Sequence, residues 1–389
     1  MKKDKMDKKN KRKTRKGNKY LSVLLFMLIG AACGVLMAIY LEAISKGDMP
    51  LGKYIVVFGL MLIAMYAAAF LQIIIHETGH LVFGLLSGYR FLSFRIGNQM
   101  WVKENGKIRL RKMSLVGTGG QCLMAPPDME DGKIPFFLYN LGGSFMNIIS
   151  SLIFTGVYFF CREARYLSFF LLLMSVVGIG IGFINGIPMR LGPVDNDGYN
   201  AKSLAKSPAA LRSFWVQMKI NEQTVKGVQL KDMPKEWFGI PEEDEMQNSM
   251  TAAMAVFYEN RLMDQHKFEE AGELIDKLCS MNTAIVGLYN NLLACDRLYC
   301  ELIGNEDEQV INNLRTKEQL KFMKQMKKFP SVLRTEYAFS LLYEKDMTKV
   351  NQIKEQFEKC AATYPYASDI ESERELLQIA DEAAKVLGI

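Results

Sequence analysis

Residues 54–80 read YIVVFGLMLIAMYAAAFLQIIIHETGH. From Tyr54 to Ile75 there is no Asp, Glu, Lys or Arg, and a helix needs about 20 such residues to cross the hydrocarbon of a bilayer. The run stops directly on three ionisable side chains, His76, Glu77 and His80. Three further stretches, Leu21 to Leu41, Ile134 to Cys161 and Tyr166 to Met189, are equally free of charge. With 49% hydrophobic residues in 389, the chain is too apolar to be wholly soluble. It reads as an all-α membrane protein with four transmembrane helices.

The net charge of +6 misleads, because Met1 to Lys19 carries eleven Lys and Arg against Asp4 and Asp7. That tail supplies +9 and leaves the remainder at −3. A basic tail beside a span is a cytoplasmic anchor under the positive-inside rule, with anionic lipid as its partner. Nucleic acid is not an expected partner. The first apolar segment is longer than the 7–15 residues of a cleaved signal core, so it is read as retained. Seven scattered cysteines without CxxC give neither a disulfide framework nor a thiolate zinc site, which fits a reducing compartment.

Counting spans from a cytoplasmic tail puts the loop 88–133 and everything after Gly198 inside. The loop's Arg90, Arg95, Lys103, Lys107, Arg109, Arg111, Lys112 and Lys133 agree with this, since the connections Glu42 to Lys53 and Arg162 to Arg165 hold two basic residues each. The expected location is a bacterial cell membrane, both termini cytoplasmic. Within the loop, Asn105-Gly106 between Met100-Trp101-Val102-Lys103 and Lys107-Ile108-Arg109-Leu110-Arg111 signals a small β-hairpin insertion. Gly117-Thr118-Gly119-Gly120 and Pro126-Pro127 mark irregular backbone; a phosphate cradle there lacks its Lys-Ser/Thr.

After Ala201 the charge is mixed, and Phe268, Ala271, Leu274, Ile275 and Leu278 recur at helical spacing. A break is expected near Lys231 to Glu245, with helical pieces at His266 to Cys279 and Thr335 to Tyr364. The division expected is a basic tail 1–19, a first transmembrane helix 20–43, a core 54–198 and a C-terminal soluble α-helical domain 199–389. His266 reads as a surface residue.

His76-Glu77-Thr78-Gly79-His80 is an HExxH motif, and only one other histidine exists in the chain. Chance occurrence in so histidine-poor a sequence is on the order of one in a thousand. Residues i and i+4 share a helical face, so both imidazoles reach one Zn2+ while Glu77 stands beside the open position as general base. Catalytic zinc needs a third protein ligand and leaves one place for water, whose pKa falls to about 7. The bland alternative is a hydrogen-bonded polar cluster, but three ionisable groups at membrane depth default to a functional reading. The third ligand is sought in Asn185 to Gly198, where Gly186 and Pro188 break the fourth helix; Asp195 and Asp197 both qualify by chemistry.

These motifs resemble the site-2 protease family of intramembrane zinc metallopeptidases, whose three-helix core pairs HExxH with Asn-x-x-Pro…Asp-Gly. His76, Glu77 and His80 match the first motif; Asn185, Pro188 and Asp197-Gly198 match the second. The resemblance selects Asp197 over Asp195 as metal ligand. It also likens Gly143-Ser144-Phe145-Met146-Asn147 to the family's Gly-Pro-x-x-Asn, Ser144 standing for Pro, and implies substrate or oxyanion contacts for Asn185 and Asn147. Packing between helices is the plainer role for either asparagine. The gap from Pro188 to Asp197 exceeds the family's by about four residues, so the chain must loop there, which Gly192 and Pro193 permit.

The expected function is therefore zinc-dependent hydrolysis of peptide bonds in a membrane-embedded or membrane-associated protein or peptide near the cytoplasmic face. The hairpin and the 117–120 stretch offer strand edges for β-addition of that substrate. The rival reading is a membrane-anchored adaptor or immunity protein with a structural or vestigial metal site. In it the helical domain binds a protein partner, and Asp195 supplies a fourth ligand. A transporter is disfavoured, since no paired halves are evident.

Overall fold

The computed structural model describes residues 19–45, 49–115, 118–191, 194–304 and 307–389. The basic tail up to residue 18, Gly117, and the loop residues Gly192 and Pro193 lie outside these. Four helices, α1 (Lys19–Ser45), α2 (Leu51–Leu86), α3 (Phe136–Phe160) and α4 (Arg165–Gly186), are long and apolar enough to cross a membrane. Phe26, Ile55, Ile63, Leu152 and Phe160 stand exposed on them, a surface suited to hydrocarbon and not to water.

Helices α2, α3 and α4 pack on one another, and α1 lies chiefly along α4, where the Tyr40 hydroxyl donates to Ser168 Oγ at 3.1 Å. One buried amide ties the three together. Gln72 of α2 donates from Nε2 to the Met174 carbonyl of α4 at 2.9 Å, and Asn147 Nδ2 of α3 donates to Gln72 O and Oε1 at 2.9 and 2.7 Å. Apolar surroundings offer no substitute partner, so these bonds fix the rotation of each helix. The α2–α3 crossing is closer still: a Cβ on Gly79 would lie 2.3 Å from Gly142 O, and one on Gly142 would lie 2.7 Å from Gly79 O.

Helix α2 ends on Ser87 and on Gly88 at φ +82°, and β1 starts two residues later. The loop 88–133 holds more than the expected hairpin. Strands β1 (Arg90–Ile96), β2 (Gln99–Glu104), β3 (Lys107–Lys112) and β4 (Gly120–Ala125) form an antiparallel sheet in the order β3-β2-β1-β4. The hairpin is β2–β3, and Asn105 and Gly106, both at positive φ, make its two-residue turn. Strand β1 pairs with β4 across the sequence gap, a long-range register that short apolar runs do not announce.

The rest is helical: α5 (Asp197–Lys206), α6 (Pro208–Val225), α7 (Ser249–Asp264), α8 (Phe268–Ser280), α9 (Gly287–Ile303), α10 (Glu308–Leu314), α11 (Lys317–Gln325), α12 (Pro330–Ala338), α13 (Met347–Ala361) and α14 (Ala367–Leu387). Single turns at 230–232, 235–237 and 245–247 occupy the break expected near Lys231 to Glu245. The boundary expected after Gly198 falls inside α5. Nor is the sheet separate from this region, because Met100, Val102 and Met113 belong to the same buried core as Ile275, Leu298, Phe357 and Leu376.

An ionic cluster sits inside the helical region, where Arg334 pairs with Asp296 and, at 3.0 Å, with Glu373. Glu259, with none of its surface exposed, faces the same groups, and its carboxyl oxygens find no hydrogen bond among the described residues. Burial first, then the Asp296 charge, pushes its pKa well above the carboxylate range. An acid that keeps its proton in the fold and loses it near pH 4.3 when unfolded costs stability as pH rises above that value.

Two stability predictions follow from this packing. Gly142→Ala should destabilise the full-length protein in micelles by about 1–3 kcal/mol in denaturant titrations. Glu259→Gln should raise the midpoint of thermal unfolding at pH 8 by about 2–4 °C and by less at pH 5.

Candidate metal centre

His76, Glu77 and His80 lie in the last third of α2 and are buried. His76 Nε2 and His80 Nε2 are 3.2 Å apart, and Asp197 Oδ2 lies 3.0 Å from the first and 3.4 Å from the second. Among the described residues this is the one grouping of His, Cys, Asp and Glu that could hold a metal ion. Zinc bonds of about 2.0–2.1 Å in a tetrahedron set ligand atoms about 3.3 Å apart, so the triangle has the right edge lengths.

The ring orientations follow from the opposite nitrogens. His80 Nδ1 lies 2.7 Å from the Tyr139 carbonyl, which can only accept, so Nδ1 carries the proton. His76 Nδ1 lies 2.7 Å from Asn147 Oδ1, and the Asn147 amide nitrogen is already committed to Gln72, which leaves its oxygen to accept. In each neutral ring the lone pair is therefore on Nε2, and both point at the Asp197 oxygen. Three such atoms at 3.0–3.4 Å could hold a cation between them, and the donor set of two imidazoles and a carboxylate is one that suits zinc. The space is made by α3: a Cβ on Gly143 would lie 2.5 Å from His76 Cε1.

Asp197 arrives from the far side of the helix break. Helix α4 stops at Gly186; beyond it Arg190 and Asp195 are bridged, Leu191 N donates to Val194 O at 3.2 Å and Asn196 N donates to Met189 O at 3.2 Å. Across the longer gap after Pro188 these bonds bring the two flanking segments together, and Asp197 still reaches both rings. Asn196, 4% exposed, holds the two ends together. Its Nδ2 donates to the Ile184 and Ile187 carbonyls at 2.6 Å each, and its Oδ1 accepts from Met189 N and Tyr199 N at 2.9 Å each. It thereby satisfies carbonyls freed at the break and caps α5, whose first residue is Asp197.

Asp195, the alternative ligand, is turned away: it accepts from Ser249 Oγ of α7 at 2.5 Å and lies 3.9 Å from Arg190 Nε. Its pKa is raised by burial, against the pull of Ser249 and Arg190. A closed site using Asp195 as fourth ligand does not form.

Glu77 sits beside the triangle under the start of β4. A Cβ on Gly120 would lie 2.6 Å from Glu77 Oε1, so this strand passes directly over the carboxyl group. The two asparagines expected to meet substrate behave differently. Asn147 is fully buried and holds His76, so its place is behind the ligand and not in front of a peptide. Asn185 donates to the Ile181 carbonyl of its own helix at 3.1 Å and touches none of the three donors. Asn196 and Tyr139 escaped the sequence reading; Asn196 stands next to Asp197, but nothing in a linear motif shows that its side chain bridges a broken helix.

No protein-family model, curated protein or solved structure matches the chain.

Metal analysis after equilibrium dialysis against zinc should separate the roles. Asp197→Ala should lose bound zinc, Asp195→Ala should keep it, and Asn147→Ala should weaken affinity by about 10–100-fold, as loss of a ligand's orienting partner does.

Proposed function

We propose that this chain is a zinc-dependent intramembrane endopeptidase of the site-2 protease type, with α2, α3 and α4 as its three-helix core. The observation that carries the reading is the triangle of His76 Nε2, His80 Nε2 and Asp197 Oδ2, with both imidazole protons committed elsewhere. Glu77 beside it favours an enzyme over a structural site, since a purely structural zinc has no use for a free carboxylate at the open position.

On this reading the amino terminus and the helical domain are cytoplasmic, and the site lies near the cytoplasmic face of the bilayer. Zinc held by His76, His80 and Asp197 would polarise the scissile carbonyl and lower the pKa of water at the open position to about 7. Glu77 would accept a proton from the attacking water and pass it to the leaving amine. Asn147 and the Tyr139 carbonyl keep both rings in the tautomer that leaves Nε2 free. A helical substrate must unwind before its carbonyls are accessible. Strand β4 is a sheet edge, and its Gly120 end covers Glu77, so a peptide added along it as a further strand passes over the site.

Glu77→Gln is the direct test, because it keeps size and polarity but cannot accept the proton. Hydrolysis of fluorescein-labelled casein in micelles should fall by at least about 10²–10⁴-fold with zinc content unchanged. Undiminished hydrolysis by that variant would remove Glu77 from the mechanism.

A further inference from the structure

Arg95 lies in β1 with none of its surface exposed. A buried guanidinium is costly and is usually matched by a carboxylate. Among the described residues no carboxylate lies within ion-pair distance of Arg95. Its bonds run to the residue that follows β1 and to one short piece of chain at the start of β4. Nη1 donates to the Gly97 carbonyl at 2.7 Å, and Nη2 donates to Thr118 Oγ1 at 2.6 Å and to the Gly120 carbonyl at 3.2 Å. Gly97 N also donates to the Gly119 carbonyl at 2.9 Å, which closes the end of β1 onto the start of β4.

The position of that piece gives these bonds their meaning. Gly119 rests on Ile73 of α2, 3.1 Å from a Cβ it does not have, and Gly120 rests one turn further on, against Glu77. With no side chains at 119 and 120 to wedge the strand, its height over α2 is set by what holds its carbonyls from behind. The Gly119 carbonyl is held by Gly97 N, and the Gly120 carbonyl and the Thr118 hydroxyl are both held by one rigid, planar, five-donor group, Arg95.

We propose that Arg95 is a positioning residue for peptide hydrolysis: by gripping Gly97, Thr118 and Gly120 it fixes the start of β4 over the Glu77 carboxyl group, keeping the strand edge that takes the peptide and the acid that moves the proton in one register. The inference rests on the peptidase reading and extends it to a residue that touches neither metal nor substrate. A lysine here could reach only part of the acceptor set, and a methionine would fill the space while holding none of it.

The test uses full-length, zinc-loaded protein in micelles with Arg95→Met, Arg95→Lys and Thr118→Val, the last sparing the buried charge should Arg95→Met fail to accumulate. Arg95→Met should lower kcat on labelled casein by about 10²-fold with KM little changed, the size expected when a reacting group is misplaced by about 1 Å. Arg95→Lys should recover part of that loss, and Thr118→Val should show a smaller loss. Zinc content should stay at the wild-type value in all three. Amide exchange over 120–125 should quicken by about tenfold in Arg95→Met while α2 and α3 stay protected. Wild-type kcat together with wild-type exchange in Arg95→Met, or in Thr118→Val where only that variant accumulates, overturns the role of Arg95 alone. A wild-type protein that binds no zinc and cleaves nothing overturns the peptidase reading and this role with it.

Discussion

Two hydrogen bonds from imidazole Nδ1 atoms, one to Asn147 Oδ1 and one to the Tyr139 carbonyl, fix how the two rings of the HExxH motif are turned. The spacing of His76 and His80 brings two rings to one face of α2, but a ring free to rotate or change tautomer is a poor ligand. Both acceptors belong to α3. The geometry of the candidate site is thus a property of the α2–α3 crossing, and that crossing is as close as it is because Gly79 and Gly142 meet backbone to backbone. Gly79 lies between Glu77 and His80 in the motif, so the same five residues supply the two rings, the carboxyl group beside them and the packing surface.

A carboxylate from elsewhere must then meet the two rings, and the broken end of α4 is how it arrives. A helix interrupted among apolar neighbours leaves carbonyls without partners, at a cost comparable to the bonds lost. Asn196 removes that cost by donating to two of the carbonyls, while its oxygen caps the helix that begins with Asp197. One side chain therefore closes the break and aims the ligand.

The sequence announces whatever depends on composition or on short spacing. Four charge-free segments, the Asn105-Gly106 turn and His76-Glu77-x-x-His80 are of this kind, and helices and turn occur where the residues imply. What depends on distant pairing stays hidden. Strand β4 gains its identity from β1, some thirty residues earlier, and neither has the clean alternation that would mark it alone. Asn147 was legible as a polar residue inside a span, yet whether it faces a substrate or the back of a histidine depends on the rotation of α3, which Gln72 sets. The choice between Asp195 and Asp197 needed a resemblance at first; the structure separates them by direction, one carboxylate turned to the rings and the other to Ser249.

That second direction bears on the helical domain. Ser249 begins α7, and its bond to Asp195 grips the segment that carries Asp197 two residues later. On the other side, Lys112 N at the end of β3 donates to the Thr363 carbonyl between α13 and α14 at 2.8 Å, and Met100 and Val102 of β2 sit in the domain's own core. The domain thus holds the ligand loop at one point and the sheet over Glu77 at another. A free appendage would leave both unbraced, and the loop around a broken helix and a sheet edge are the parts of such a site with the least packing of their own. The helical domain is therefore in direct contact both with the segment that leads into Asp197 and with the sheet that passes over Glu77.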